Sequence, residues 1–466
     1  MIPLQQRLYF GAPLWLQNAL ISAYGLKLLR LRYGSLNRKI LGELVESQWL
    51  DANAIRLRQL AALNDVVQHA KLTVPFYRDR LGGVSELKGL DELAGLPLTT
   101  KSDIRAAGRA VVSHRFAGRS LEEVHTGGTT GTPLTVYCDR QTLQRNFAFF
   151  ARFKTWMGVT GSQRVAVFAG RPIVPPDQTA PPFWRENLFA RSRLFSSYHI
   201  GKNSVGAYAD ALTAFKPVLI DSYPSSIEPI ARWLLDQGVT TIRPRAVITS
   251  SETLHAPARE LMERAFGCKV FDHYGAAEMA AFISQCEQGT YHVNPEFGIA
   301  EVITNDRPAA PGETGELVVT GFINPVMPLI RYTTGDLAVQ GADGCRCGRA
   351  FPTVAAIIGR LDDVITTPDG RRVGRLDPIF KAVASLVECR IVQDAIDHVR
   401  VEMVVKGEFP EQERQRLRGE LALRLGPTMR VSFAEVAQIP RSGSGKLRTV
   451  VNLIDPAAHA SAPSVN

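Results

Sequence analysis

Between Arg164 and Asp272, four short runs rich in apolar and β-branched residues alternate with stretches of helical spacing. The runs are Arg164–Ala169, Val218–Asp221, Ala246–Ser250 and Lys269–Asp272. Behind Pro224-Ser225-Ser226, the residues Ile227, Ile230, Ala231, Leu234 and Leu235 recur with the helical period, and Gly238 closes the run. Pro257 and Gly267 bracket a second such run, with Ala258, Leu261, Met262 and Ala265 on its apolar face. A chain that alternates these two periods buries both kinds of face by stacking helices on a largely parallel sheet. Such sheets bind ligands beyond the carboxyl ends of their strands. The loops Ser222–Ser226, Thr249–Leu254 and His273–Glu278 are therefore the pocket candidates.

The flanking patterns differ. From Glu296 to Val339 short strands and tight turns predict a β-rich subdomain, with turns at Pro311-Gly312-Glu313 and Gly315-Glu316 ahead of Leu317-Val318-Val319. Gly359-Arg360-Leu361-Asp362-Asp363 marks a charged joint, beyond which the pattern restarts. A helix near Pro378–Ser385, strands at Arg390–Gln393, Val399–Val405 and Arg430–Phe433, and a helix at Glu411–Leu425 with Leu417, Leu421 and Leu425 on one face predict a small α+β lid. A chain of 466 residues is too long for one core. The expected division is a helical segment 1–45 packed on the main domain, a large domain 46–359, a small mobile domain 360–455 and a flexible tail 456–466.

Met1–Leu31 is apolar but interrupted by Gln5, Gln6, Arg7, Gln17, Asn18, Lys27 and Arg30, which argues against a transmembrane span. It has neither a basic leader nor a small-residue cleavage site, so a signal peptide is not expected. Trp15, Leu16, Leu20, Tyr24, Leu28 and Leu29 form one face of a helix with basic residues near its end. The expectation is a helix packed on the main domain; an interfacial membrane helix is the alternative. The net charge of +9 is spread without a Lys/Arg block, and no zinc-finger spacing, RNA-binding aromatic signature or basic helix accompanies it. Nucleic acid is not an expected partner, whereas an anionic small molecule or a membrane surface suits the charge. Six cysteines without a secretion signal lead to the expectation of a cytoplasmic protein with reduced thiols. The oligomeric state is not legible.

Two clusters carry chemistry. The nine residues His125-Thr126-Gly127-Gly128-Thr129-Thr130-Gly131-Thr132-Pro133 hold three glycines and four threonines and lead into the strand-like Leu134–Tyr137. Glycines turn backbone N–H groups inward and hydroxyls add neutral donors, as a phosphate cradle requires. The loop lacks the Gly-Lys-Ser/Thr ending of a Walker A motif. Cys286, His292, Cys345 and Cys347 offer three sulfurs and one nitrogen, the donor set of a tetrahedral structural zinc. The alternative is reduced cysteines lying near loops.

The Thr126–Pro133 loop, Tyr274-Gly275-Ala276-Ala277-Glu278, Arg331-Tyr332-Thr333-Thr334-Gly335-Asp336, the joint Gly359–Asp363 and the basic loop ending at Lys446 occur in the order of a known family. Taken together, nearly the whole chain resembles the adenylate-forming (AMP-forming) acyl ligase superfamily, in its phenylacetate-coenzyme A ligase and CapK-like branch. The resemblance implies a large α/β adenylate-forming domain with mixed sheets and a β-rich subdomain, followed by a small mobile α+β domain. It implies ATP-dependent activation of an aryl or acyl carboxylic acid, with Mg2+, to an acyl-adenylate, and transfer to coenzyme A. Transfer to an amine or another acceptor in polysaccharide biosynthesis, or a non-catalytic nucleotide-binding assembly role, are the alternatives.

The same resemblance assigns roles. Thr126, Gly127, Gly128, Thr129, Thr130, Gly131 and Thr132 would surround the pyrophosphate half of ATP, with Ser251, Glu252, Tyr274, Gly275 and Ala276 also at the nucleotide. Glu278 would hold magnesium, Asp336 the ribose hydroxyls, and Arg360 the ribose or phosphate. Asp362 would be the hinge, and Lys446 would bridge carboxylate and α-phosphate in the first step. Tyr198, His199, Tyr223 and Pro224 would line the acid pocket, with His199 a structural hydrogen-bonder rather than a base. Two departures stand out. Thr132 replaces a frequent lysine, and Thr366–Arg372 stands where coenzyme A ligases of this branch carry a glycine-rich segment with an asparagine.

Overall fold

The structure, a computed structural model, describes residues 4–125, 134–169, 171, 173–175, 178–201, 203–360, 365–368, 372–373, 376, 383, 385–405, 407–426, 428–440 and 448–454. It divides into two compact units, one of Met1–Thr334 and Ala338–Ile357, the other of Gly335–Leu337 and Ile358–Asn466.

Helices α1 (Leu4–Gly11), α2 (Leu14–Arg32), α3 (Ser35–Ser47), α4 (Ala52–Thr73), α5 (Pro75–Arg80) and α6 (Lys101–Ala107) open the chain. Their starts are written locally: Asp51 caps α4 by accepting from Ala54 N at 2.8 Å. Thr100 and Asp103 form a reciprocal capping box on α6, at 3.1 and 2.8 Å. The hairpin of β1 (Glu122–His125) and β2 (Thr135–Cys138) flanks the glycine-threonine loop and is antiparallel.

Next come α7 (Arg140–Trp156), β3 (Val165–Ala169), β4 (Trp184–Asn187), β5 (Ser192–Ser196), α8 (Val205–Phe215), β6 (Leu219–Ser222), α9 (Pro224–Asp236), β7 (Ala246–Ser250), α10 (Ala256–Phe266) and β8 (Val270–Gly275). They are followed by β9 (Phe282–Gln285), β10 (Tyr291–Val293), β11 (Gly298–Thr304), β12 (Arg307–Pro308), β13 (Thr314–Gly321), β14 (Tyr332–Gln340) and β15 (Thr353–Arg360). Among the described residues thirteen of these strands join in the order β12-β11-β13-β14-β15-β10-β9-β8-β7-β6-β3-β5-β4. From β8 to β5 neighbours are parallel, while β4 and β9 attach antiparallel on either side. The β-rich run is thus hydrogen-bonded into the parallel sheet through β10 and β15.

The periodic residues do what their spacing requires. Ile227, Ile230, Ala231, Leu234 and Met262 are fully buried with Ile220, Val247 and Phe266 between helices and sheet. Gly267 ends α10 in the left-handed conformation, φ 63°.

Helix α2 lies against β4 and α7, but chiefly by its polar side. Trp15, Leu20 and Tyr24 of the apolar face are 70%, 47% and 52% exposed and Leu16, Leu28 and Leu29 half-buried, whereas Gln17, Ser22 and Gly25 are buried. The reason is what lies beneath. Strand β4 ends the sheet, and an edge strand carries unpaired backbone groups that only polar side chains can satisfy. Asn18 Oδ1 accepts from Glu186 N at 2.9 Å, and Ser22 Oγ donates to Glu186 O at 3.3 Å and accepts from Leu188 N at 3.1 Å. A side chain at Gly25 would run into Asn187, so the glycine sets how closely α2 approaches.

In the second unit, β16 (Ile365–Thr366) pairs with β17 (Arg372–Val373). A separate sheet runs β20 (Arg430–Glu435), β19 (His398–Val405), β18 (Leu386–Ala395), β21 (Val450–Asn452). Helix α11 (Glu411–Leu425) buries Leu417, Leu421 and Leu425 in one core with Ile391, Val399 and Val401. The helix expected near 378–385 falls largely outside the described residues.

Candidate active site

The parallel strands bring their carboxyl ends into line. Ala169 pairs with Ser196, Phe168 with Ser222, Ser222 with Thr249, and Ser250 with His273. The residues just past each end therefore share one edge of the sheet: Tyr198 and His199 after β5, Tyr223 and Pro224 after β6, Ser251 and Glu252 after β7, and Tyr274, Gly275 and Ala276 closing β8. Burial raises the Tyr198 hydroxyl above its ordinary value, with Tyr223 nearby adding to the shift. His199 uses both ring nitrogens, Nδ1 at 2.7 Å from Ser196 Oγ and Nε2 at 3.0 Å from Pro175 O, and stacks on Phe183. Those bonds fit a positioning histidine.

Glu252 is turned by Ser251, at φ 69°, toward the first turn of α9, where its carboxylate accepts from Ser225 N at 3.0 Å and Ser225 Oγ at 2.9 Å. A carboxylate at a helix N-terminus is favoured by the exposed N–H groups there. Glu278 meets the other motif in space: Tyr332 OH donates to its Oε1 at 3.2 Å. Tyr332 opens β14, which Thr99 clasps through Thr99 N to Arg331 O at 2.8 Å and Thr333 N to Thr99 O at 2.9 Å. Arg331 itself faces inward, binding Glu301 through Nε and Nη2 and the carbonyls of Ala94 and Leu96 through Nη1. Asp336 lies further along β14, half-buried. Arg360 is the last residue of β15. Thr126–Pro133, Asp362 and Lys446 lie outside the described residues, and so does the side chain of Arg360.

A second cluster stands apart from that edge. Strand β10 pairs with both β9 and β15, which carries His292 beside Cys286 and beside the turn holding Cys345 and Cys347. Their ligand atoms all lie within 4.8 Å of one another, with Cys286 Sγ 3.7 Å from Cys345 Sγ and Cys347 Sγ 3.3 Å from His292 Nε2. Thiolates on a tetrahedral zinc, at about 2.3 Å from the ion, stand about 3.8 Å apart. The donor set and spacing fit that ion. Burial pushes the Cys286 thiol up to about 12 and the His292 ring down to about 4, so without a cation both groups stay uncharged at neutral pH.

Residues 365–453 match the family described as CapK C-terminal domain. Along nearly its whole length the chain is similar to protein CapK of Staphylococcus aureus, 28% identical over 464 residues, covering 96% of this chain and 99% of that one. It is 25% identical to phenylacetate-coenzyme A ligase of Thermus thermophilus, over 88% of this chain and 98% of that one. Its fold is shared with a crystal structure of 2-hydroxyisobutyryl-CoA ligase in the postadenylation state, at a TM-score of 0.67 and 20% identity, covering 88% and 91% of the two chains. The chain is homologous along most of its length to CapK and to a phenylacetate-coenzyme A ligase.

The sheet beneath the candidate site also holds polar groups to which the sequence assigned no role. Asp272 is buried on β8, accepting from Thr249 Oγ1 and Tyr291 OH, both at 2.6 Å. Burial raises its carboxyl above the ordinary range, and those two donors act against the shift. His273, packed 4.3 Å from Phe282 by ring centroids, is driven down to about 3 by burial. Lys154 of α7 and Asp221 of β6 are half-buried and feel one another's charge: burial lowers the lysine and raises the carboxyl, and each shift is opposed by the other group. The signal for Asp221, Asp272 and His273 was a polar residue inside an otherwise apolar strand, but their partners are remote in sequence.

Proposed function

We propose that this chain activates a carboxylic acid with ATP and passes the acyl group to coenzyme A. In the first step a carboxylate oxygen attacks the α-phosphorus and pyrophosphate leaves; in the second a thiol sulfur attacks the acyl carbon and AMP leaves. The observation that carries this reading is the placing of Tyr198, Tyr223, Glu252 and Tyr274 at the carboxyl edge of a parallel sheet, in a chain similar to such a ligase over 88% of its length.

Two anions must be brought together, so the site has to neutralise phosphate while aligning the acid. The Thr126–Thr132 loop supplies neutral donors, and with Thr132 in place of a lysine more of the neutralisation falls to backbone N–H groups and magnesium. Glu278, steadied by Tyr332, offers the hard oxygen that would hold Mg2+, which screens phosphate charge. Asp336 accepts from the ribose hydroxyls, Arg360 faces ribose or phosphate, Asp362 serves as hinge, and Lys446 stabilises charge at the α-phosphate. Tyr198, His199, Tyr223 and Pro224 shape the acid pocket. Cys286, His292, Cys345 and Cys347 hold a structural zinc.

The test is acid-dependent exchange of labelled pyrophosphate into ATP across a panel of aryl and aliphatic acids. Lys446→Ala should lower exchange by about a hundredfold or more while leaving the circular dichroism spectrum unchanged. Exchange at the wild-type rate in that variant would remove Lys446 from the chemistry, and none in the wild type with any acid would end the proposal.

A second acceptor is supported by two observations: residues 365–453 match the CapK domain, and the segment Thr366–Arg372 departs from the coenzyme A pattern. Hydroxylamine traps the adenylate whatever the natural acceptor. Consumption of the adenylate on adding an amine but not coenzyme A would favour that second reading.

A further inference from the structure

Helix α2 is inside out. Its polar positions Gln17 and Ser22 are spent on β4, and the side turned to solvent carries Ala19, Leu20 and Ala23 ahead of Lys27 and Arg30, with Trp15 and Tyr24 at its margins. The turn between β4 and β5 extends the same surface. Leu188, whose N–H is held by Ser22, is 71% exposed, and Phe189 is 55% exposed. Exposed large apolar side chains gathered in one place mark a surface that is covered in use. We propose that α2 and the β4–β5 turn dock this protein on the face of an anionic lipid bilayer.

Charge chooses the occupant. Lys27 and Arg30 stand exposed on this side of α2, and residues 1–42 contain no acidic residue, the first being Glu43. A second copy of this chain placed on the same surface would set one basic rim against another, which is repulsive. An anionic bilayer attracts that rim and accepts the apolar residues between headgroups, with Trp15 and Tyr24 suited to the interface. No described helix is long and apolar enough to cross a membrane, so the geometry is that of a helix lying in the surface plane.

The experiment is co-sedimentation of the full-length protein with vesicles of phosphatidylcholine alone or with about one-third phosphatidylglycerol. The expected result is binding to the anionic vesicles that weakens with salt. Leu20→Glu with Phe189→Glu should weaken it at least about tenfold, and Lys27→Glu with Arg30→Glu should abolish the preference for anionic lipid, with melting temperature and pyrophosphate exchange unchanged in both. Absence of wild-type binding at about 0.1 M salt, or equal binding to both vesicle types, would overturn the proposal. So would a dimer in sedimentation velocity runs that Leu20→Glu converts to monomer, since the face would then join two copies.

Discussion

Arg152 is the most consequential buried charge in the first unit. Its side chain is fully enclosed, with Nη1 donating to Leu44 O and Glu296 Oε1 and Nη2 donating to Asn294 Oδ1 and Glu296 Oε2. Ser47 also donates to Glu296, so one guanidinium ties α3 and α7 to the segment between β10 and β11. Arg152→Ala strands Glu296 and should cost about 3–5 kcal/mol in guanidinium unfolding. A second residue, His273, links stability to pH. Burial holds its folded value at about 3, below the unfolded value of about 6.5, so its neutral-state contribution is complete above pH 6.5 and declines as pH falls toward 3. Unfolding free energy should therefore drop by up to about 1.4 kcal/mol per pH unit from this group as the medium is acidified, and His273→Phe should flatten that slope. Neither Arg152 nor its partner was legible in the sequence, because 144 residues separate it from Glu296 and no local rule pairs them. The motif residues Gly275 to Glu278 were legible, and so is one physical reason for the glycine: a Cβ at 275 would press on the buried His273 ring.

At the scale of elements, reading succeeded where the deciding forces are local. Helix α9 carries the predicted run Ile227–Leu235, though it starts at Pro224, inside the segment read as a loop; α11 spans the predicted Glu411–Leu425, and Ala246–Ser250 is β7. At α2 the apolar stripe was visible, but which side turns inward is decided by an edge strand more than 150 positions away that demands a polar partner. The cysteine-histidine cluster falls between these cases: ligand types were legible, and only the pairing of β10 with β9 and β15 brings them together. A zinc bound there would join the β9–β10 hairpin to the turn before β15. Elemental analysis should find one zinc per chain, chelation should lower the melting temperature by several degrees, and Cys345→Ser with Cys347→Ser should abolish both the metal and the chelator response. Nothing but background metal in the wild type would refute the site.

At the scale of the whole molecule, each unit has its own core, and the covering of β4 by α2 has a consequence for the first of them. Remove residues 1–34 and the sheet ends in a bare ledge of amide and carbonyl groups whose natural complement is the same ledge on a neighbour. The truncated protein should scatter light within hours at concentrations where the full chain stays clear, and Asn187→Lys should slow the clouding. If the shortened chain remains dispersed, the helix is dispensable as a shield. Viewed this way, the first thirty residues are a hem: stitched to the fabric by their polar side, they keep it from unravelling into its neighbours.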